Sequence, residues 1–378
     1  MLLARWAHIV VGIVWIGASF YFIWLDNRLE KSADPRLAGE LWAIHGGGFY
    51  RAEKFALAPP AMPARLHLFK WEAYWTWITG FFLLVLIYYA GAELYLIDPS
   101  VMALSKSQAI GTGLGSLIVG LAVYEGLCRL IKNDTHLAAV LFVLLAALAW
   151  GLCQIFGGRG AFMHYGAILG TIMVANVAHI IIPGQRRMVE AMAAGREPDP
   201  KDGLAGKQRS VHNTYFTLPV IFTMIASHHA FTFGGRWNWL VLVALTAVGA
   251  LIRVWFVLRH KGPAPALPLA AGIGLLFVPF ILLFPKEEKT GAVKFEDVKK
   301  IIDARCVACH LPKPTFPGLA EAPKNVLLDS PERIRAQAVA IHAQTVIGKA
   351  MPPGNLTKMT EEERAVLGRW VSSGAAIR

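Results

Sequence analysis

Two cysteines three residues apart, with a histidine directly behind the second, lie in the segment DARCVACHLPK (303–313). The Cys-x-x-Cys-His spacing is the pattern of covalent c-type haem attachment. It predicts that Cys306 and Cys309 form thioether bonds to a haem c and that His310 is the proximal iron ligand. A haem held in this way moves electrons one at a time. The C-terminal part of the chain is therefore expected to carry electrons.

A second axial ligand is expected from the segment GKAMPPGN (348–355), which lies between two predicted helices. Methionine is the usual partner of histidine in high-potential cytochromes c, and this segment supplies Met351. Met359 and His342 are the alternatives. With these ligands the tail resembles a class I cytochrome c.

The elements that position this site belong to an unusually apolar chain. Hydrophobic residues make up 55% of the sequence and charged residues 16%, against about 25% charged residues in typical soluble domains. Eight apolar stretches approach the ~20 residues that a membrane-spanning helix needs. They cover residues 4–25, 75–97, 108–127, 136–155, 161–182, 213–233, 237–258 and 266–284. The sequence predicts an all-α protein, with a bundle of eight transmembrane helices followed by a soluble class I cytochrome c-like domain.

The charge bias of the loops orients this predicted bundle. Haem c is attached outside the cytoplasm, so the tail is expected in the periplasm and, with eight crossings, so is the N-terminus. The predicted cytoplasmic loops contain seventeen Lys and Arg residues, whereas the short periplasmic loops contain only Lys106, Arg159 and Arg236. Membrane topology thus explains the net charge of +12, and no nucleic-acid partner is expected. We expect a multi-pass inner-membrane protein in contact with membrane lipid.

The sequence divides into three parts. Residues 1–285 form the predicted membrane domain, residues 286–293 a polar linker and residues 294–378 the cytochrome domain. In the membrane domain, two Gly-x-x-x-Gly patterns, in residues 111–120 and 166–170, predict close approach of helices.

Helix starts can also be read from the C-terminal part. Ser330 followed by Pro331 predicts a cap and a first helical residue. Thr360 and Glu363 have the spacing of a capping box.

Ionisable side chains inside predicted membrane helices are costly and are functional candidates by default. By depth they fall into two layers about 18 Å apart, since twelve residues of one helix separate His164 from Asn176. The periplasmic layer consists of His8, His164, His228 and His229, and only one of the last two is expected to point inward. The cytoplasmic layer consists of Asp26, Glu125, Asn176, His179 and Arg253. Facing imidazoles of the first layer could ligate a non-covalent haem b, and this alternative stays open.

Three N-terminal segments, together with the cytochrome tail, resemble one family. The segments are WAHIVVGIVWIG (6–17), HGGGFYRAEKF (45–55) and LHLFKWEAYWTWITGF (66–81). They are similar to the bacterial integral-membrane urate oxidase, in which an eight-helix membrane domain is fused to a C-terminal cytochrome c. The resemblance covers essentially the whole chain. It implies oxidation of urate to 5-hydroxyisourate, with electrons leaving through the cytochrome to a periplasmic acceptor such as a soluble cytochrome c or a terminal oxidase.

Given this resemblance, residue type and depth suggest roles in the cytoplasmic layer. Arg253 suits the anionic edge of urate, Asn176 suits its amide groups, and His179 or Glu125 suits a general base. We expect urate to bind in this layer, with a haem b held by the histidines as the carrier towards the haem c. Binding of urate in the histidine layer, without a haem b, is the alternative.

Two other functions fit the same sequence. One is a membrane-anchored haem b/c electron-transfer subunit that relays electrons from quinol or another dehydrogenase. The other is a cytochrome-linked transporter.

Overall fold

The computed structural model describes residues 1–56, 58–259, 263, 265–283 and 293–377, which are mostly helical. The helices up to residue 283 are α1 (Leu2–Asp26), α2 (Trp71–Leu84), α3 (Ala92–Tyr95), α4 (Lys106–Leu130), α5 (Asp134–Ile155), α6 (Gly158–Ala175), α7 (Ile182–Ala193), α8 (Pro200–Ala226), α9 (Asn238–Arg259) and α10 (Leu267–Leu283). The C-terminal helices are α11 (Phe295–Arg305), α12 (Pro331–Ala336), α13 (Ala338–Ile341) and α14 (Glu361–Ser372). Apart from Val293, the predicted linker 286–293 lies outside the described residues.

Helices occur at each of the eight positions where the sequence predicts a membrane span. Five described helices are long and apolar enough to cross a membrane: Leu2–Asp26, Lys106–Leu130, Asp134–Ile155, Gly158–Ala193 and Asn238–Arg259. The fourth of these is α6 and α7 joined by a π-helical turn, Asn176–Ile181.

The other three helices differ from their predicted spans. α2 continues through a π turn, Val85–Tyr89, but the helix is broken at Ala90–Gly91. α8 starts at Pro200, well before residue 213, and ends at Ala226. The predicted continuation of this helix over residues 227–233 is therefore wrong. α10 has 17 residues.

The segment between α1 and α2 contains a β-hairpin, which corrects the all-α prediction. β1 (Leu37–His45) pairs antiparallel with β2 (Gly48–Phe55). Gly46 and Gly47 form the turn with φ of +59° and +83°, a region that glycine adopts without steric cost. The turn end of the hairpin carries exposed apolar side chains, including Phe49 at 78% exposure.

The described residues group into two compact units. The first consists of Met1–Leu83, Leu169–Leu218 and Ala250–Pro268, and the second of Leu84–Ile168, Pro219–Gly249 and Leu269–Arg378. This spatial grouping is independent of the sequence division near residue 285, which stays a prediction.

In the first unit, the start of α2 packs on the π turn that follows α6. Ala73 of α2 is buried against Val177 of the turn and Ile182 of α7, with Trp15 of α1 at the edge. Farther along α2, Trp77 donates a hydrogen bond to Thr171 Oγ1 of α6 at 3.1 Å. These contacts place the helix of the WEAYWTWITGF segment beside the π turn.

In the second unit, α4 and α6 approach closely where α4 has glycine. A Cβ added to Gly120 would lie 2.6 Å from Ile168 Cγ2, and one added to Gly113 would lie 2.6 Å from His164 Nε2. Gly111 and Gly115, the pair in the predicted Gly-x-x-x-Gly pattern, have open space instead. The predicted close approach of helices is present at α4, but the glycines at the contact are Gly113 and Gly120.

The C-terminal helices surround an apolar core of their own. Val298 and Ile302 of α11 pack with Ile334 of α12 and with Leu367 and Trp370 of α14. Both predicted helix starts are confirmed, since Ser330 caps α12 and a complete capping box of Thr360 and Glu363 begins α14.

Candidate functional site

The Cys-x-x-Cys-His segment forms a tight turn directly after α11. The N–H groups of Cys309 and His310 donate to the Cys306 carbonyl at 3.2 and 3.1 Å. The two thiols are separate and not joined as a disulfide. Burial raises the pKa of the Cys306 thiol to about 12 and also raises the pKa of Cys309. Both groups are thus protonated at neutral pH, which argues against a thiolate nucleophile.

The imidazole of His310 is oriented by a backbone carbonyl. Its Nδ1 lies 2.9 Å from the Val326 oxygen. Because a carbonyl can only accept, Nδ1 carries the proton and donates it. The lone pair is then on Nε2, the tautomer that metal-ligating histidines adopt when a neighbouring group holds their other nitrogen.

The backbone of Met351 is held on both sides of its side chain. Its N–H donates to the Gln344 carbonyl at 3.0 Å, and its own carbonyl accepts from Arg364 at 2.9 Å. Arg364, on α14, is only 4% exposed and also donates to the Thr345 carbonyl. The side chain of Met351 remains half-buried. A guanidinium that donates to two consecutive parts of one loop fixes the shape of that loop.

The alternatives to Met351 occupy different environments. Met359 is 3% exposed and belongs to the C-terminal apolar core, where it packs as an ordinary core residue. His342 is half-buried at the start of a π turn, His342–Ile347. Cys306, Cys309, His310 and Met351 are therefore the residues that fit a covalently attached haem c.

The histidines of the predicted periplasmic layer have different surroundings. His8 belongs to the first unit, where its Nδ1 lies 3.0 Å from Thr79 Oγ1. His164 belongs to the second unit. Within the described ranges, no group of three or more His, Cys, Asp and Glu side chains is placed to hold a metal ion.

Haem ligation by His164 does not fit its surroundings. It is fully buried, and both of its ring nitrogens are engaged, Nδ1 with the Gly160 carbonyl at 2.9 Å and Nε2 with Tyr89 Oη at 3.2 Å. The same Nε2 lies so near Gly113 that an added Cβ on that glycine would be only 2.6 Å from it. His228 and His229 follow the end of α8 and are exposed. These histidines therefore do not fit a haem b.

A buried polar cluster joins the π turn to α8 in the first unit. Arg209 Nη1 donates to Asn176 Oδ1 at 3.2 Å, and Asn176 Nδ2 donates to Asn213 Oδ1 at 2.8 Å. Asn213 in turn donates to the Met173 carbonyl at 3.0 Å. Asn176 is 0% exposed and Arg209 is 5% exposed. These hydrogen bonds fix the orientation of the buried polar side chains.

Arg253 of α9 contacts the same stretch of α8. Its Nε donates to Thr214 Oγ1 at 3.0 Å, and the side chain is half-buried. Thr214 is the neighbour of Asn213 along α8, although the side chains of adjacent helix residues point about 100° apart. Among the described residues, no hydrogen-bond acceptor faces the terminal amino groups of Arg253. The fork of this guanidinium is available for a planar anion.

The other predicted members of the cytoplasmic layer differ in exposure. His179 is exposed, although Asn176 three residues earlier is buried. Glu125 is half-buried on α4, which belongs to the second unit. Asp26 is exposed and forms an ion pair of 2.8 Å with Lys54.

Glu72 is a further carboxylate in the first unit. It stands in the first turn of α2, directly before Ala73, which packs on the π turn of Asn176. Its Oε2 is buried and has no hydrogen-bond partner among the described residues, and its Oε1 is 3.7 Å from His67 Nε2. An unsatisfied buried carboxylate oxygen is costly, so it marks a functional candidate.

Sequence reasoning missed Arg209, Asn213 and Arg364 as site residues. The first two are four residues apart, a spacing that places them on one helix face, but residues 183–212 were assigned to a loop. The burial of Arg364 depends on loop carbonyls that no helical pattern indicates.

Taken together, the fold and these residues define a class: a largely helical protein with several apolar helices, a buried polar cluster that contains an arginine, and a C-terminal segment that carries a Cys-x-x-Cys-His motif. Residues 1–283 match the family model described as urate oxidase N-terminal, and the chain therefore belongs to this family. The matched region contains Asn176, Arg209 and Arg253, and it ends before Cys306. No curated protein and no solved structure matches the chain. This match confirms the resemblance to a urate oxidase family that the sequence indicated.

Proposed function

We propose that the protein oxidises urate to 5-hydroxyisourate within a membrane and passes the electrons to a haem c on its C-terminal segment. The observation that carries this proposal is the joining of two features in one chain. The family region 1–283 contains the arginine–asparagine cluster, and the segment that follows contains four residues that fit a haem c.

The reaction balances with water as the oxygen source. The urate monoanion gains one water oxygen and gives up two electrons and one net proton to become 5-hydroxyisourate. The protein must therefore bind a planar anion, accept a proton and remove two electrons.

Arg253 and the Asn176 cluster supply anion binding. The fork of Arg253 matches two adjacent acceptors on the edge of the purine. Asn176 is fully buried, with Arg209 and Asn213 bonded to the two ends of its amide, so it orders this region rather than offering an open amide group. Because the cluster is already hydrogen-bonded, little ordering is needed when urate binds.

Proton acceptance is assigned to Glu72. Its buried oxygen without a hydrogen-bond partner and its place beside the π turn favour it over His179, which is exposed. Glu125 stays the alternative base. A carboxylate that takes the proton as water adds to the oxidised purine acts as a general base.

The C-terminal segment supplies the electron outlet. Cys306 and Cys309 would hold the haem covalently, with His310 and Met351 as axial ligands, and the bound group would accept electrons one at a time. An external one-electron acceptor, such as a soluble cytochrome c or a terminal oxidase in the periplasm, would then restore the oxidised state.

Location in the inner membrane is supported by the five long apolar helices. We propose eight spans with the N-terminus and the C-terminal segment in the periplasm, on the basis of the loop charges.

The test is direct reduction of the haem by urate. Purified detergent-solubilised protein is mixed with urate without oxygen, and the haem absorbance is followed. We expect urate to reduce the haem and, with excess oxidised soluble cytochrome c as the acceptor, two equivalents of that cytochrome reduced per urate consumed, with no hydrogen peroxide formed when oxygen is later admitted. A haem that dithionite and a quinol reduce but urate does not would contradict the proposal and favour the electron-transfer subunit.

A further inference from the structure

The loop that carries Met351 lies directly against a loop of the N-terminal region within the second unit. An added Cβ on Gly234 would lie 2.1 Å from the Gly348 carbonyl oxygen, and an added Cβ on Gly348 would lie 2.8 Å from Ala230 Cβ. Real Cβ atoms do not approach other atoms this closely, so both positions require glycine. The two backbones touch without an intervening side chain.

The same loop makes a second contact with the N-terminal region at its other end. An added Cβ on Gly354 would lie 2.6 Å from the Glu93 carbonyl oxygen and 3.0 Å from the Ile97 carbonyl oxygen. We call residues 348–354 the docking loop. One end of this loop contacts residues 93–97, and the other end contacts residues 230–234.

The docking loop is also fixed from inside the C-terminal segment. Arg364 donates to the carbonyls of Thr345 and Met351, on both sides of Gly348. Met351 consequently lies in a loop that contacts the buried Arg364 and also two segments of the N-terminal region. The side of the C-terminal segment that bears Met351 is the side that is docked.

We propose that the docking loop is the electron-entry surface of the C-terminal segment, and that its partner is residues 93–97 and 230–234 of the same chain. This inference rests on the proposed function, which supplies two electrons from each urate. They cross this contact singly, and each leaves to a one-electron acceptor before the next can enter. Because the Met351 side is covered, that external acceptor docks on another face of the C-terminal segment.

Backbone contact has a physical advantage for such a surface. No side chain with rotamers stands between the two segments, since the only side-chain atom at the contact is the Cβ of Ala230, so their separation is set by van der Waals contact. The rate of electron transfer falls as the separation grows. A side chain at Gly234 would push the two loops apart and leave Met351, His310 and both thiols untouched.

The chain offers a matched pair of variants for the test. Gly234→Val introduces a Cβ where none fits, whereas an added Cβ on the adjacent Gly235 meets nothing within 4 Å. Both variants are purified with their haem, and its reduction by urate is followed by stopped flow. We expect Gly234→Val to slow reduction about tenfold or more, with unchanged haem content, reduction potential and Met–iron band, and Gly235→Val to match the unchanged protein. A Gly234→Val protein reduced at the original rate would overturn the proposal.

A second measurement does not depend on urate. The variant Ala230→Cys places a thiol against Gly348, whereas Gly235→Cys places one where an added Cβ meets nothing within 4 Å. We expect a thiol reagent to label Ala230→Cys slowly and Gly235→Cys quickly in the purified protein, and equal labelling rates would overturn the docking. If Ala230→Cys is protected but urate does not reduce the haem of the unchanged protein, the proposed function fails while the docking stands.

Discussion

The guanidinium of Arg364 donates a hydrogen bond of 2.9 Å to the backbone carbonyl of Met351, from a position only 4% exposed to solvent. The nearest carboxylate is Glu361 at 3.8 Å, which is itself exposed and paired with Lys349. The main role of the buried arginine is therefore to satisfy loop carbonyls. Its cost of burial is offset by these charge-assisted hydrogen bonds.

Replacement of this arginine should loosen the proposed iron ligand without removing the haem. In Arg364→Gln, the carbonyls of Met351 and Thr345 lose their donor, a loss of about 1–3 kcal/mol. We expect a weaker Met–iron charge-transfer band and a lower reduction potential, measured by absorbance and redox titration. Arg364→Lys should restore part of both. Arg369→Gln on the same helix is the control, and equal spectra for Arg364→Gln and the control would refute the role.

Arg253 should control the affinity for urate. Its terminal amino groups face no acceptor among the described residues, so the loss of a charged, two-point contact should cost about 1.5–3 kcal/mol. We expect KM for urate to rise about tenfold to 100-fold in Arg253→Gln. Arg253→Lys should recover only part, because an ammonium group cannot bind two acceptors in one plane.

The matched control for this variant is Arg259→Gln at the end of the same helix, where the guanidinium stacks on Trp255. Equal KM values for the two variants would place urate elsewhere.

Cys306→Ala together with Cys309→Ala should abolish covalent haem attachment, because no thioether can form. Haem staining of denatured protein after electrophoresis measures this directly. Cys128→Ala with Cys153→Ala, at two buried cysteines outside the motif, should leave the stain unchanged. Haem that stays bound in the first double variant would exclude the proposed attachment.

The predicted topology can be tested on the exposed hairpin tip. Phe49 is 78% exposed and lies in the region expected to face the cytoplasm, whereas Val101, 40% exposed, lies in an expected periplasmic loop. In intact spheroplasts, Phe49→Cys should resist a membrane-impermeant thiol reagent and Val101→Cys should react. Reaction of the first variant would reverse the orientation.

Two glycines of α4 should respond oppositely to alanine. At Gly113 an added methyl group would meet His164 Nε2 at 2.6 Å and Tyr89 Oη at 3.0 Å. We expect Gly113→Ala to destabilise the protein by about 1–3 kcal/mol, as overpacking does. Gly115 has open space, so Gly115→Ala should be neutral or stabilising by up to about 1 kcal/mol. Thermal unfolding in detergent compares them, and a stable Gly113→Ala protein would contradict this packing.

Regular patterns made much of the fold predictable from the sequence. Apolar length located the helices, and the caps at Ser330 and Thr360 follow from local hydrogen bonding that a few adjacent residues determine. The hairpin was missed because both of its strands are largely exposed, so neither shows clear alternation of apolar and polar residues. Their pairing depends on the turn at Gly46 and Gly47.

Positions set by distant neighbours could not be predicted. Nothing local distinguishes Gly113, which meets His164, from Gly115, which meets nothing. Similarly, Asn176 is buried and His179 exposed because the π turn changes the angular spacing of their side chains from that of a regular helix. The attachment motif was the opposite case, since its chemistry lies in five consecutive residues.

The contact between the docking loop and the N-terminal region has a consequence for folding. Glu93 and Gly354 are in contact although roughly 260 residues of chain separate them, and contacts of such long separation form late in folding. Residues 93–97 and 230–234 emerge from the ribosome well before the loop that will cover them. Until the docking loop has been synthesised, these two segments lack this part of their native contacts, so the earlier part of the chain reaches its final form only after that loop has been made.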